Sequence, residues 1–250
     1  MYTVKKSLGQ HFLKDEAVID KIVAALLEHP FSNLLEVGPG TGALTKRLLN
    51  IPGIQFRAVE LDDEKVVYLE KHFPALKGHI IHNSFLEMDK PFEEPFTVIG
   101  NFPYNISTQI LFRLLDWMDE VPVIIGMFQK EVAERAASGP GNKVYGVLSV
   151  LIQAYYDVEY LFDVLPGSFN PPPKINSGVI RLTRKKEQLV IRSARSYNLL
   201  VKTAFNQRRK TLRNAVKGLF EPAILQDDIF NLRAEALSIH DFASLTFKMR

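Results

Sequence analysis

The chain has 250 residues, of which 46% are hydrophobic and 24% are charged, a composition typical of folded globular proteins. It contains no cysteine, which excludes disulfide bonds and thiolate metal sites, and we expect a cytoplasmic protein. The formal net charge is only +3, and no segment approaches the ~20 apolar residues that span a bilayer, so no membrane association is expected.

Helical and strand-like segments alternate over the first two thirds of the chain. Apolar residues at helical spacing predict a helix over residues 15–28. Further strands are predicted at 33–37, 55–60, 79–82, 96–101, 121–128 and 177–182, and further helices at 43–50, 62–73, 106–118 and 129–137. Because such alternation is typical of parallel sheets with helices on both faces, the pattern predicts an α/β fold of the Rossmann-like type.

The strand signals stop after about residue 185. Short helices are predicted at 195–205, 208–219, 228–235 and 238–249. Ser238 followed by Asp241 resembles a capping box at the start of the last helix. We therefore predict an α/β domain over residues 1–185 and a small all-helical domain over residues 186–250, joined by the polar stretch TRKKEQ.

A glycine-rich loop, LEVGPGTG at residues 35–42, follows a predicted strand and opens a helix. In this context Gly38 and Gly40 let the backbone approach a ligand closely. The next strand ends in Glu60, whose carboxylate is suited to both hydroxyls of a ribose. The two features together predict a nucleoside-binding crevice, with a glycine turn that binds nothing as the alternative.

The glycine spacing alone leaves the cofactor open. Gly38, Gly40 and Ala43 also fit the dinucleotide pattern G-x-G-x-x-A, which would indicate a dehydrogenase. Glu36, two residues before Gly38, completes E-x-G-x-G-x-G. That form resembles the first motif of Rossmann-like methyltransferases, which bind S-adenosylmethionine.

A second motif, NFPYNIS at residues 101–107, follows the strand at 96–101. The exocyclic amine of adenine is a poor nucleophile, because its lone pair is delocalised into the ring. The Asn101 carbonyl and a neighbouring main-chain carbonyl could accept both amine hydrogens and favour the positive charge that develops on nitrogen. Tyr104 offers a flat face on which an extruded base can stack. The motif therefore predicts transfer to an exocyclic amine, with an ordinary turn as the alternative.

The basic residues are concentrated between Arg181 and Lys217, where Glu187 is the only acidic residue. A surface of one sign attracts phosphate backbones, although a solvated helix face would have the same composition. The proposed RNA-binding residues are Arg208, Arg209, Lys210 and Arg213. No metal is expected, because the six histidines offer no convincing set of ligands.

Several long stretches resemble the ribosomal RNA adenine dimethyltransferase family, whose bacterial members modify two adjacent adenosines in the 3′-terminal hairpin of 16S rRNA. They are KKSLGQHFLKD, LEVGPGTGALT, NFPYNIS, FQKEVAERAASGPGNKVYGVLSVLIQ, FNPPPKINSGVIRL, FNQRRKTLRN and RAEALS. The resemblance implies an enzyme that forms N6,N6-dimethyladenosine with S-adenosylmethionine as the methyl donor. It also implies that the substrate is an immature small ribosomal subunit, and we expect a monomer.

The resemblance assigns roles to individual residues. On the cofactor side they are His11 and Leu13, which close over the cofactor, Gly38 and Gly40 at the methionine, Glu60 at the ribose, and Asn101. On the target side they are Asn101, Phe102 and Tyr104, which hold the amine, and Phe169, which stacks on the flipped base. For Phe169 the alternative is a buried anchor for the prolines that follow it.

The chain departs from the family at two positions. Ser84 stands where the family usually has an aspartate that binds the adenine amine, which predicts weaker cofactor binding. Phe102 stands where leucine is common, a change the main-chain carbonyl should tolerate. Two rival hypotheses remain at this point: a 23S rRNA adenine N6-methyltransferase, and a non-catalytic assembly factor that keeps the fold and binds RNA.

Overall fold

The computed structural model describes residues 11–250, which form two compact units. The first comprises the described residues up to 133 together with 159–184, and the second comprises 134–158 and 185–250. The polar stretch TRKKEQ, residues 183–188, thus includes a boundary between the units in the sequence. The second unit also takes up a segment that sequence analysis placed in the first domain, because a helix at Val147–Gln153 packs on the helix at Ala194–Asn206.

The helices and strands follow one another as the sequence pattern predicts over most of the chain. The strands are β1 (Phe12–Leu13), β2 (Asn33–Val37), β3 (Gln55–Glu60), β4 (Ile80–His82), β5 (Thr97–Asn101), β6 (Val123–Gln129), β7 (Tyr156–Val164), β8 (Phe169–Asn170) and β9 (Ser177–Arg184). The α-helices are α1 (Glu16–Leu27), α2 (Thr45–Leu48), α3 (Asp63–His72), α4 (Ser107–Asp116), α5 (Lys130–Ala137), α6 (Val147–Gln153), α7 (Ala194–Asn206), α8 (Leu212–Ala215) and α9 (Ile239–Thr246).

A seven-stranded sheet forms the centre of the first unit, in the order β4-β3-β2-β5-β6-β9-β7. The pairs from β4 to β6 are parallel, as predicted, whereas β9 runs antiparallel to β6. The sheet is therefore mixed, and the α/β class is confirmed. Strand β7 was not predicted, and β1 and β8 form a separate antiparallel pair.

Burial explains why these segments become strands and helices. All five residues of β2 are buried, as expected for a central parallel strand that is covered on both faces. Helix α1 begins at the N-cap Asp15, whose side chain accepts hydrogen bonds from the amides of Ala17 and Val18. It turns Ile19, Ile22, Val23 and Leu26 toward the core, which confirms most of the predicted apolar stripe, whereas Leu27 at its end is 55% exposed.

The second unit is helical, but two of its predicted helices are wrong in extent. The helix predicted at 208–219 is reduced to α8, because Thr211 is extended at its start. The helix predicted at 228–235 is replaced by 3-10 turns at Asp228–Asn231 and Ala234–Ala236, separated by the extended Arg233. The capping box is confirmed: the Ser238 hydroxyl accepts from the Asp241 amide at 3.1 Å. Among residues 11–250 no helix is long and apolar enough to cross a membrane.

Candidate active site

A cavity of about 240 Å³ lies at the carboxyl edge of the parallel strands in the first unit. The carboxyl ends of β2, β3 and β5 meet at this edge because the three strands are parallel. The cavity is lined by nine of the predicted site residues: His11, Leu13, Gly38, Gly40, Glu60, Ser84, Asn101, Phe102 and Tyr104. The geometry therefore brings together the glycine loop, the acidic strand end and the Asn-Phe-Pro-Tyr motif.

The glycine loop adopts a conformation that side chains disfavour. Gly38 and Gly40 have φ angles of 67° and 58°, in the left-handed region. A Cβ atom on Gly40 would lie 3.0 Å from the Phe12 ring, which covers the loop from strand β1. The backbone of the loop is thus accessible at the cavity wall only because these positions carry no side chain.

Glu60 is a buried carboxylate held by three main-chain amides. Its Oε2 accepts from the Gly40 amide at 3.1 Å, and its Oε1 accepts from the amides of Leu61 and Asp62, each at 3.0 Å. Burial nevertheless raises the pKa of Glu60 above its usual value, with the three amides opposing that shift. The carboxylate is therefore fixed at the tip of β3, and Oε2 retains a lone pair for a further donor.

Glu36 lies beneath the glycine loop and is 1% exposed. The Thr45 hydroxyl donates to its Oε2 at 2.7 Å. Desolvation, opposed by this hydrogen bond, raises the pKa of Glu36 to about 8, and the nearby charge of Glu60 contributes to the rise. The acidic residue of the E-x-G-x-G-x-G motif is thus a largely protonated acid at neutral pH that ties β2 to α2.

Asn101 ends strand β5 and is half-buried. Its Nδ2 donates to the main-chain carbonyl of His11 at 2.9 Å. The carboxamide oxygen is the other end of the same planar group, so this bond fixes its direction as well.

Tyr104 is held at the cavity by contacts at both ends of its side chain. Its hydroxyl is hydrogen-bonded to the Ser177 hydroxyl at the start of β9. The His11 ring lies 5.5 Å from the Tyr104 ring, between their centroids, at an interplanar angle of 32°. Burial raises the pKa of the Tyr104 phenol, so it stays protonated at neutral pH. Ser177 was not among the predicted site residues, because nothing in its local sequence indicates a partner 73 positions away.

The Phe102 ring is 1% exposed and fills a slot between two glycines. Gly100 and Gly126 are opposite each other in the β5–β6 register. A Cβ on Gly126 would lie 2.5 Å from the Phe102 ring, and one on Gly100 would lie 3.0 Å from it. The chain thus accommodates the larger side chain beneath the motif, while the backbone of Phe102 remains at the cavity.

Ser84 and Asn83 form a tight turn after β4, at the cavity wall. The Asn83 side chain accepts from the Ser84 amide at 2.7 Å, and the Ser84 hydroxyl accepts from the Leu86 amide at 3.3 Å. Ser84 therefore offers the cavity a polar group without a charge, and its predicted contact with the adenine stays a prediction.

Phe169 does not line the cavity. Its ring is 1% exposed and belongs to the core cluster of the first unit. In this arrangement the ring is not accessible to a base, which favours the alternative role as a buried anchor. The stacking role stays a prediction that would require the ring to leave the core.

The four predicted RNA-binding residues lie in the second unit and differ in their contacts. Arg208 donates to the Lys143 carbonyl, with its Nε 3.7 Å from a Glu235 oxygen. Arg213 donates to the Leu225 carbonyl at 2.9 Å. Arg209 and Lys210 are exposed. The part of the chain that the structure describes contains no cluster of acidic and histidine side chains able to hold a metal.

Comparison with known proteins indicates the family of the chain. The family described as "Ribosomal RNA adenine dimethylase" matches residues 1–246. The ribosomal RNA small subunit methyltransferase A of Cytophaga hutchinsonii is 49% identical over 246 residues, covering 97% of this chain and 95% of the relative. The protein of the same name from Phocaeicola vulgatus is 50% identical over 249 residues, covering 97% and 88%.

Solved structures give the same result for the fold. A dimethyladenosine transferase from Plasmodium falciparum has a TM-score of 0.80 and 25% identity, covering 94% of this chain and 96% of that one. The 23S rRNA methyltransferase ErmE has a TM-score of 0.68 at 22% identity, covering 93% and 99%, a likeness of fold alone. The resemblance found in the sequence is confirmed, and the dinucleotide-binding interpretation of the glycine loop is wrong. By sequence and by fold, the chain belongs to the ribosomal RNA adenine dimethylase family of S-adenosylmethionine-dependent methyltransferases.

Proposed function

We propose that the protein methylates the N6 amines of two adjacent adenosines in the 3′-terminal hairpin of 16S rRNA. Membership of the family supports an adenine of ribosomal RNA as the target, and the names of two relatives refer to the small subunit. The observation that carries the proposal is a single cavity lined by the glycine loop, Glu60 and the motif from Asn101 to Tyr104. Methyl donor and target amine would meet there.

The residues at the cavity fit S-adenosylmethionine. When bound, it supplies a methyl group activated by a positively charged sulfur. Glu60 keeps a lone pair on Oε2 for a ribose hydroxyl, and its three amide contacts hold it in place. The Ser84 hydroxyl would accept a hydrogen bond from the adenine amine of the cofactor. The main chain at Gly38 would face the methionine portion of the cofactor. The other proposed contacts come from His11, Leu13 and Gly40.

The Asn-Phe-Pro-Tyr motif would activate the target amine by orientation. The Asn101 Oδ1 and the main-chain carbonyl of Phe102 would each accept a hydrogen bond from the target amine. The lone pair of the amine nitrogen would then point toward the methyl group. Both carbonyl dipoles also stabilise the positive charge that develops on the nitrogen. The methylated amine then loses a proton to water, so catalysis needs positioning but no strong general base.

Two further features concern the RNA. Tyr104 would stack on the flipped adenine, since its ring lines the cavity and its hydroxyl is anchored to Ser177. Arg209 and Lys210 would contact phosphates, because both are exposed. We propose an immature small ribosomal subunit as the substrate and a monomer as the active form.

The test uses small ribosomal subunits from a strain that lacks these methylations. The subunits are incubated with the protein and methyl-labelled S-adenosylmethionine, and the labelled nucleosides are identified after digestion. Label in N6,N6-dimethyladenosine from the 3′-terminal hairpin would support the proposal. Tight binding of the particle without label would support the assembly-factor alternative, and label only when 23S rRNA is supplied would support the large-subunit alternative.

A further inference from the structure

The nitrogen end of the Asn101 carboxamide is hydrogen-bonded within the protein. Its Nδ2 donates to the His11 main-chain carbonyl at 2.9 Å, although the two residues are 90 positions apart. A carbonyl oxygen accepts hydrogen bonds and cannot donate them. The contact therefore sets the carboxamide in one of its two flipped orientations, with the nitrogen toward His11.

His11 is itself held in place by its surroundings. Its Nδ1 is hydrogen-bonded to the Pro171 carbonyl at 3.0 Å, and its ring lies beside that of Tyr104. The next two residues pair with β8, with Phe12 opposite Asn170 and Leu13 opposite Phe169. The His11 carbonyl is therefore a fixed acceptor, since its residue directly precedes a strand that pairs with β8.

Because of this contact, the side chain at position 101 must donate a hydrogen bond as well as accept one. If the residue only had to accept a hydrogen from the target amine, an aspartate would serve at least as well, because a carboxylate is the stronger acceptor. Against the His11 carbonyl, however, an ionised aspartate would set two acceptor oxygens at hydrogen-bond distance without a proton between them. That arrangement is repulsive, and it would turn the side chain away from the orientation seen here.

We propose that the main-chain carbonyl of His11 is a positioning group for methyl transfer, which holds the Asn101 oxygen toward the target amine and requires a donor at the other end of the residue 101 side chain. The proposal rests on the proposed function of the cavity. It makes the segment that leads into strand β1 part of the machinery that orients the amine, in addition to the place of β1 beside the glycine loop.

The test is the Asn101→Asp variant, which keeps the shape of the side chain. Single-turnover methylation is followed at saturating S-adenosylmethionine on unmethylated small subunits from pH 5.5 to 8.5. At pH 8.5 we expect a rate at least about a hundredfold below that of the unchanged protein, the cost of one misdirected catalytic dipole. Toward pH 5.5 the ratio of the two rates should rise by about tenfold or more. The reason is that a protonated carboxyl donates to the His11 carbonyl as the amide does, and the adjacent acceptor raises the pKa of the introduced acid.

The other titratable groups are His11, Tyr104 and Glu60, which line the same cavity, and Glu36 on the neighbouring strand β2. They are the same in both proteins, so the ratio of rates removes their titration. A ratio near one at every pH would overturn the proposal, and so would a low ratio that does not change with pH. A purely structural defect would give that second result.

A measurement on the unchanged protein keeps the proposal testable if the variant does not fold. In the nitrogen-labelled protein, the Asn101 side-chain amide should exchange its protons with water more slowly than a free asparagine amide. Exchange at the free rate would overturn the proposal. Absence of methyl transfer by the unchanged protein would instead contradict the proposed function, and the exchange measurement does not depend on activity.

Discussion

At the scale of single residues, the buried acid Glu36 has a charge state that differs between the folded and unfolded chain. Its ordinary pKa is 4.5, and burial raises it to about 8 in the fold. Between these values the native state holds a proton that the unfolded chain has released. The contribution of this group to stability is therefore complete below pH 4.5 and is lost as the pH rises through about 8.

The Glu36→Gln variant tests this charge state. Glutamine resembles the protonated acid but cannot ionise, so the melting temperature should differ least from that of the unchanged protein at pH 4.5 and below. At pH 9 the variant should be more stable by several kcal/mol, because the pKa rises from 4.5 to about 8 and each pKa unit corresponds to about 1.4 kcal/mol. Each kcal/mol raises the melting temperature by about 2–4 °C for a chain of this size. Thermal unfolding across this range measures the difference, with exposed Glu93→Gln as the control. A difference that does not depend on pH would mean that Glu36 is ionised in the fold.

Ser84 is the residue whose chemistry departs most from the family pattern. An aspartate there would add charge to the proposed bond with the adenine amine, and charge-assisted hydrogen bonds are about twice as strong as neutral ones. We expect Ser84→Asp to tighten S-adenosylmethionine binding by about fivefold, corresponding to roughly 1 kcal/mol. Calorimetric titration measures the dissociation constant. Ser32→Asp, the control, adds the same charge at an exposed serine that does not line the cavity. An unchanged affinity in Ser84→Asp would refute the assigned role.

At the scale of elements, the sequence predicts best where one periodicity persists over a whole segment. Strands β2, β5 and β6 are largely apolar runs and β3 begins with an alternation of exposed and buried residues, and each prediction lies within a few residues of the observed bounds. Strand β7 was missed although apolar residues alternate with Asp157, Glu159 and Asp163 along it, a pattern typical of a half-buried strand. In the second unit, the predicted helix at 208–219 is interrupted by tertiary contacts, such as the bond from the Leu212 amide to the Leu232 carbonyl at 2.7 Å.

The stretch from 207 to 213 combines two kinds of basic residue. Arg208 and Arg213 bind carbonyls within their own unit, whereas Arg209 and Lys210 are exposed. We expect Arg209→Ala/Lys210→Ala to leave the melting temperature unchanged and to weaken binding to the small subunit. The slope of log affinity against log salt concentration should fall by about 2, one for each lost phosphate contact.

Binding is measured by filter retention at several salt concentrations, with Lys71→Ala/Lys77→Ala as the control at exposed lysines of the first unit. An unchanged salt slope in Arg209→Ala/Lys210→Ala would show that this stretch does not contact RNA phosphates.

At the scale of the whole molecule, the sequence motifs predict that the glycine loop, Glu60 and the segment from Asn101 to Tyr104 share one cavity, and the family resemblance adds His11, Leu13 and Ser84. The motifs do so because the carboxyl ends of parallel strands bring distant motifs to one edge. The motifs could not indicate the contacts that fix the site, such as Asn101 with His11 or Tyr104 with Ser177. These contacts join segments that local patterns treat independently. For Phe169 the local sequence is compatible both with stacking on a flipped base and with a buried anchor for the prolines that follow. Only the burial of its ring in the structure favours the second role.

The central claim is that the cavity orients an adenine amine through Asn101, and the most direct measurement is the single-turnover rate of Asn101→Ala at saturating S-adenosylmethionine. The variant should keep the circular dichroism spectrum of the unchanged protein. It should transfer methyl groups on the order of a hundredfold to a thousandfold more slowly, because one preorganised acceptor is lost. A near-normal rate from the folded variant would contradict the claim, since the amine would then be activated without the motif that the cavity is built around.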